Sequence, residues 1–460
     1  MKRIFLFISL ILVASVTVCA QSQDRWTILQ DGSIQWKPTR NLPHEDHVEM
    51  SGQMLSVVLR YGVDVQQRFH LNRSLVFPML RMKPNKTQNN LKQRFDVNIP
   101  AMVTVDDQTL LNEVVQDITF NGIMRVESDY GYIYRRKELK NAIHVTRILY
   151  PSINAPRYLE EYTFKNNSQN PITLRVPEWR VTYTTPEEAG VYGAYRIEAS
   201  LSKKGTFILK PGETLDFYAI YSGKKVSDDV TEKDNTAFSR ITIQSERAGR
   251  QALINQWWEN LVLDTPDPVL NRMFAFAKLR GAESIYRTKG GLMHGPGGEA
   301  YYAAVWANDQ AEYINPFFPF LGYDIGNESA LNAYRHFARY MNPEYNPIPS
   351  SIISEGVSFW HGAKDRGDGA MIAYGAARYA LARGDKEEAR ELWPLIEWCL
   401  EYCKRKLTSD GVVASNSDEL ENRFPAGDAN LCTSTLYYDA LRSAALLGRE
   451  IGVSGKQLAT

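Results

Sequence analysis

The segment from Ser417 to Asp439, SDELENRFPAGDANLCTSTLYYD, sets two acids, Asp418 and Glu419, in a polar loop that runs into a new apolar helix. A carboxylic acid presented there can protonate the oxygen of a poor leaving group, the step that glycosidic bond cleavage requires. Asp, Asn and Ser also cap helices and build turns, so proton donation and a capping loop are both open readings of the segment. Glu421 lies two residues beyond Glu419. Like charges crowded in a partly closed pocket raise a carboxylate's pKa and keep it protonated near neutral pH, as a general acid must be.

Other residues could serve the same chemistry. Asp309 follows Trp306-Ala307-Asn308 and could hold paired sugar hydroxyls, or cap the helix after it. Trp306 and Trp360 offer faces on which the apolar side of a sugar ring could stack, or they fill a core. Glu355, in Ser354-Glu355-Gly356, is a loop ligand or an exposed glutamate, and His361 and His294 could each bond a hydroxyl. Asp365, Arg366 and Asp368 read as a capping and salt-bridge cluster. Gly295, Gly297 and Gly298 suit a tight turn approaching a ligand, but no Lys-Ser or Lys-Thr follows, so this is no phosphate loop. Cys399, Cys403 and Cys432 are odd in number and lack metal-ligand spacing; Cys399 and Cys403, four apart in a helical pattern, are expected to be buried thiols, with no metal and no cofactor.

These residues need elements to carry them. Lys2 and Arg3 precede an apolar run from Ile4 to Val16, then Val18-Cys19-Ala20, the pattern of a signal peptide over residues 1–20. Cys19 allows a lipid-anchor alternative, although Val16-Thr17-Val18 is a poor lipobox. The expected location is periplasmic or secreted. No later run approaches the ~18 to 20 apolar residues that span a bilayer, so no membrane span is expected. Removing Lys2 and Arg3 leaves 51 basic residues against 53 acidic, a charge of −2, which excludes a polyanion-binding surface and makes nucleic acid an unexpected partner.

From Trp26 to about residue 240 the pattern is strand-like, with clear runs at 54–59, 118–127, 143–149, 159–164 and 172–176. Residues 206–209 and 214–221 flank Lys210-Pro211-Gly212-Glu213 and read as one hairpin. This half, 21–245, is expected to be an antiparallel β-sandwich, its Trp179 and Tyr183 belonging to the core or a domain interface. A linker helix follows within 246–266, closed by Asp264-Thr265-Pro266-Asp267-Pro268. Beyond it the apolar period becomes helical: Leu270, Met273, Phe274 and Ala277 share a face, as do Met371, Ile372, Gly375, Ala376 and Tyr379. About six helices are expected in 267–460, joined alternately by short turns and long polar loops.

A β-sandwich, a linker helix and helical hairpins in this order resemble the six-hairpin glycosidase superfamily of (α/α)6 toroids, which includes glucoamylases, α-L-rhamnosidases and the maltose phosphorylases. His294 to Pro319, HGPGGEAYYAAVWANDQAEYINPFFP, is similar to the Trp-x-Arg-Asp segment with which these enzymes hold the non-reducing sugar. Asn308 stands where the arginine is usual, so the resemblance carries over Asp309 and loses the arginine contact. Asp365 to Asp385 resembles a helix ending in Thr-Gly-Asp, and Ser417 to Ser434 resembles an Asp-Glu-Tyr motif followed by an acidic-amide run, echoed here by Asp428 and Asn430. On that match Glu419 is the general acid and Asp309 a sugar ligand; Trp306, Glu355, Trp360, His361 and Asp418 are expected as further substrate contacts from their residue types and loop positions. The resemblance implies an exported, exo-acting, inverting glycoside hydrolase acting on a carbohydrate, with a phosphorylase or a non-catalytic carbohydrate-binding protein as alternatives. It also implies about twice the helices countable here. The water-activating base would then lie outside these residues, in a further segment or a partner chain that completes the toroid.

Overall fold

The computed structural model describes residues 25–230, 240–302, 304–354, 359–360, 364–421 and 423–459. The amino-terminal apolar run, Glu355 and His361 lie outside the described residues.

The first half is antiparallel β. A nine-stranded sheet runs in the spatial order Thr27–Ile28, Ile34–Trp36, Leu111–Phe120, Met124–Tyr134, Lys137–Pro151, Arg157–Asn166, Thr214–Lys225, Tyr195–Leu201 and Arg180–Thr184. A four-stranded sheet of His44–Gly52, Leu55–Val63, Phe69–Arg81 and Asn90–Phe95 packs against it. Val57, Leu59 and Leu75 share a core with Val126, Val145 and Tyr162 of the larger sheet. Strand alternation makes that larger sheet two-faced. In Arg157–Asn166, Tyr158, Tyr162 and Phe164 enter the sandwich core, while Leu159 enters the core of the helical half with Ile123, Tyr150 and Tyr218.

Two strand expectations need correction. Residues 118–127 are not one strand: the chain reverses at Asn121-Gly122, where Gly122 takes φ +103°, and Phe120 pairs with Met124. Asn-Gly between apolar runs is a strong hairpin signal. The turn at residues 210–213 forms, with Glu213 N donating to Lys210 O at 3.0 Å, but its arms are not a hairpin. Gly205–Leu209 pairs with Ile172–Val176 in a separate small sheet, while Thr214–Lys225 joins the large one.

Seven α-helices of seven residues or more follow among the described residues: α1 (Arg240–Glu259), α2 (Pro268–Glu283), α3 (Asn315–Leu321), α4 (Asp324–Ala338), α5 (Asp368–Arg383), α6 (Lys386–Arg405) and α7 (Leu431–Ile451). Asp267 caps α2 by accepting from Val269 N and Leu270 N, with Pro268 at the first helical position, where its missing N–H does no harm. α5 is built from small residues, with Ala370, Ala373, Gly375, Ala376, Ala377 and Ala380 all buried. It can therefore lie close to α3, α6 and α7 at once. No helix among the described residues is long and apolar enough to cross a membrane.

Arg250 of α1 joins the two halves. Its side chain is 1 % exposed; it donates to Gly122 O (2.9 and 2.8 Å) and Ser51 O (2.9 Å) of the two sheets and to Glu283 of α2 at 2.7 Å. Glu283 is equally buried and keeps only Arg280, at 3.2 Å, when Arg250 is removed, so a buried charge loses its shorter ion pair and two sheet carbonyls lose their donor. Arg250→Ala is predicted to lower stability by about 3 to 5 kcal/mol, read as a fall in the urea midpoint. An unmoved midpoint would contradict this role.

Candidate active site

The strand Ala304–Trp306 leads into a π-helical turn, Asn308–Ile314, and then directly into α3. Such turns are rare and recur at functional sites. This one is possible because α5 offers bare backbone: a Cβ on Gly375 would lie 2.0 Å from Ala311 O. Asp309 sits inside the turn, whose first-turn cap position is Ala307 without a side-chain bond, so Asp309 is not acting as a cap. The turn also carries Glu312 and Tyr313.

The loop before α7 approaches from the other side. Asn430 caps α7 by accepting from Thr433 N at 2.7 Å, and its amide donates to Ser415 Oγ (2.7 Å) and Ser417 O (3.1 Å). Ser415 N donates to Asp428 O at 3.0 Å. The loop is thus clamped to the helix start, and Glu419 is presented to the π-turn. Tyr313 OH donates to Glu419 Oε2 at 3.3 Å. Glu312 lies within hydrogen-bond reach of Glu419, and Cys432 Sγ is 3.8 Å from Glu312 Oε1. Glu419 Oε1 and Glu312 Oε2 are both buried atoms without a hydrogen-bond partner.

A buried cation faces these acids. Arg366, 1 % exposed, donates to Asp368 at 2.9 Å and Glu421 at 3.0 Å. Ser350 Oγ donates to the other oxygen of Asp368 at 2.7 Å. Burial raises Asp309 above the ordinary carboxylate range; Arg366 opposes the rise, and Glu419 and Glu421 add to it. Burial, the hydrogen bond with Glu419 and that group's charge together push Glu312 up to about 8. Asp368 is raised by burial, against the pull of Arg366.

Among the expected site residues, Glu419 and Asp309 fall within one electrostatic neighbourhood. Asp418 Oδ1 accepts from Leu420 N at 2.8 Å, a turn-forming bond, and Glu421 is engaged by Arg366. The acid that crowds Glu419 is therefore Glu312, not its sequence neighbours. Trp306 and Trp360 flank Ser351 across a three-stranded sheet, with ring centroids 5.5 Å apart, and Tyr301 meets Trp306 edge-on at 5.6 Å. Trp306 is 8 % exposed, Trp360 half-buried and Tyr301 exposed. His294 is buried beside Gln310 and Phe318, and burial lowers it to about 3, so it is a core residue. Asp365 accepts from Tyr402 and Lys406, as a salt-bridge cluster requires. Sequence reasoning missed Glu312; its one signal was a second acid three residues after Asp309.

No family model matches the sequence, and no curated protein is similar to it. Its backbone resembles that of a putative kojibiose phosphorylase from human microbiome, at TM-score 0.56 and 10 % identity, covering 95 % of this chain and 69 % of that one. The fold is six-hairpin-glycosidase-like. A bacterial glucoamylase complexed with acarbose is also similar, at TM-score 0.43 and 9 % identity over 92 % of this chain and 67 % of that one.

In this six-hairpin-like fold the sandwich holds the loop that precedes the π-turn. Glu299 accepts from both terminal nitrogens of Arg60 at 2.8 Å and from Arg94 at 3.2 Å. Gly298 N donates to Glu49 Oε2 at 3.2 Å, and Gly297 and Gly298 take positive φ. These glycines therefore dock the loop on the sandwich. The Arg60 hydrogen bonds bring Glu299 down to about 2. A depressed carboxylate contributes stability that is present above its unfolded value near ~4.3 and lost as pH falls toward the folded value. The stability difference between the native protein and Glu299→Gln, followed by urea unfolding, is predicted to be constant above pH ~5.5 and to shrink toward pH 2. A difference that does not change with pH would rule out the latch.

Proposed function

We propose that the protein is an exported, exo-acting glycoside hydrolase that removes a terminal sugar with inversion, with Glu419 as the general acid. The observation that carries this reading is Glu419 held against a second, partly buried carboxyl beside a buried guanidinium. That environment keeps a proton available near neutral pH, which protonation of a glycosidic oxygen needs. The six-hairpin-like fold supports the same reading. Asp309 is proposed to accept hydrogen bonds from sugar hydroxyls, and Trp360, backed by Trp306, to stack on the ring. Asp418, Glu355 and His361 complete the proposed sugar contacts. Export rests on the amino-terminal basic and apolar run.

A phosphorylase is the second reading, favoured by the description of the phosphorylase whose backbone this one resembles. In it phosphate replaces water as the nucleophile. One experiment separates the two: release of free sugar from a panel of natural disaccharides and aryl glycosides, with and without phosphate. Hydrolysis predicts free sugar at a rate indifferent to phosphate. Sugar phosphate formed only when phosphate is present would install the phosphorylase, and no turnover of any glycoside would leave a binding protein. Glu419→Gln is predicted to slow turnover of natural glycosides by roughly 10²- to 10⁴-fold, and that of glycosides with activated aryl leaving groups by less. Equal activity of variant and parent on both would remove Glu419 from the chemistry.

A further inference from the structure

The reading above uses Glu312 only as the carboxyl beside Glu419 and gives it no part in the chemistry, yet its position there is the least expected arrangement in the site. Two carboxyls in mutual hydrogen-bond reach cannot be the acid and the nucleophile or base of a glycosidase. Those flank the scissile bond with their groups about 5 to 9.5 Å apart. Nor are they a pair of ionised surface acids. Each has an oxygen that is buried and without a partner, Glu312 Oε2 and Glu419 Oε1. A buried unsatisfied acceptor is costly, and neighbouring carboxyls repel when both are charged. A single proton relieves the repulsion, because it neutralises one carboxyl and turns it into a donor for the other.

The surroundings fit one proton and one charge. Tyr313 donates to Glu419 Oε2, and the Cys432 thiol, contributed by α7, approaches Glu312 Oε1. Arg366, from the segment entering α5, acts on both acids but is hydrogen-bonded to Asp368 and Glu421. Asp309 lies on the same π-turn and feels the charge of Glu419. Among these described groups no second cation is placed to neutralise Glu312.

We propose that Glu312 and Glu419 share one proton and act as a single acid, Glu419 delivering the proton and Glu312 serving as the positioning residue that keeps it loaded. The use of that acid rests on the glycosidase reading. The proton passes from Glu419 to the glycosidic oxygen, and the bond from that oxygen to the anomeric carbon breaks with its electron pair left on oxygen. The alcohol departs neutral, water adds to the anomeric carbon and releases a proton, and the pair regains one proton from solvent. The apparent titration then belongs to the pair and not to either residue.

The test needs no substrate. Carbon-13 NMR of glutamate carboxyls in the full chain, titrated with pH, should show in the parent protein one carboxyl ionising near 8. Glu312→Gln should abolish that titration. Glu419→Gln should move it down by at least about one unit, since the like charge and the shared hydrogen bond are gone while burial remains. An unmoved titration in Glu419→Gln would show that burial alone raises Glu312 and would overturn the shared proton. So would a parent protein in which every glutamate ionises below about 5. Because both substitutions are nearly isosteric, a loss of fold in one leaves the other to decide. If the titrations come out as expected and no glycoside is turned over, the shared proton stands and the glycosidase reading falls.

Discussion

Charge balance around Arg366 governs this site. The guanidinium is buried and acts on Asp309, Glu312, Asp368, Glu419 and Glu421. A pair of unit charges 4 Å apart interacts by about 4 kcal/mol at an effective dielectric of 20, so one cation can hold a few ionised neighbours but not all of these. Burial is the larger cause, since it penalises each charged form, and the shortage of cations adds to it. The consequence is that Asp309, Glu312 and Asp368 are all displaced upward. The fold has concentrated acids where they cannot all ionise, and a retained proton is what general acid catalysis requires.

That concentration depends on packing far from the acids. The π-turn with Asp309 and Glu312 can sit against α5 because Gly375 has no side chain. The loop with Glu419 is clamped through Asn430 to the start of α7. The segment leading to the π-turn is pinned by Glu299 to Arg60 and Arg94 of the sandwich, and Arg250 ties both sheets to α1 and α2. The sandwich is therefore part of the positioning machinery: its outer face supplies Leu159, Tyr150 and Tyr218 to the helical core.

The sequence carried the architecture because that depends on local patterns. Period-two runs foretold strands, and the change to a helical period after Pro268 foretold α2 onward. It failed where pairing is decided at a distance. The turn at residues 210–213 is locally correct, yet its arms enter different sheets because their partners lie elsewhere in the chain. The site shows the same division. Glu419 and Asp309 stood out through their loop contexts, whereas Glu312 acquires meaning only from a loop that folding brings to it. Asp418 and Glu421 are neighbours of Glu419 in sequence, but one closes a turn on Leu420 and the other is drawn to Arg366.

Neutron diffraction from crystals of the unaltered protein at neutral pH would test this charge balance most directly, since it locates exchanged protons. The account predicts a deuteron between the carboxyls of Glu312 and Glu419, with Arg366 fully deuterated and directed at Asp368 and Glu421. Two bare carboxylates turned away from each other into solvent would contradict it.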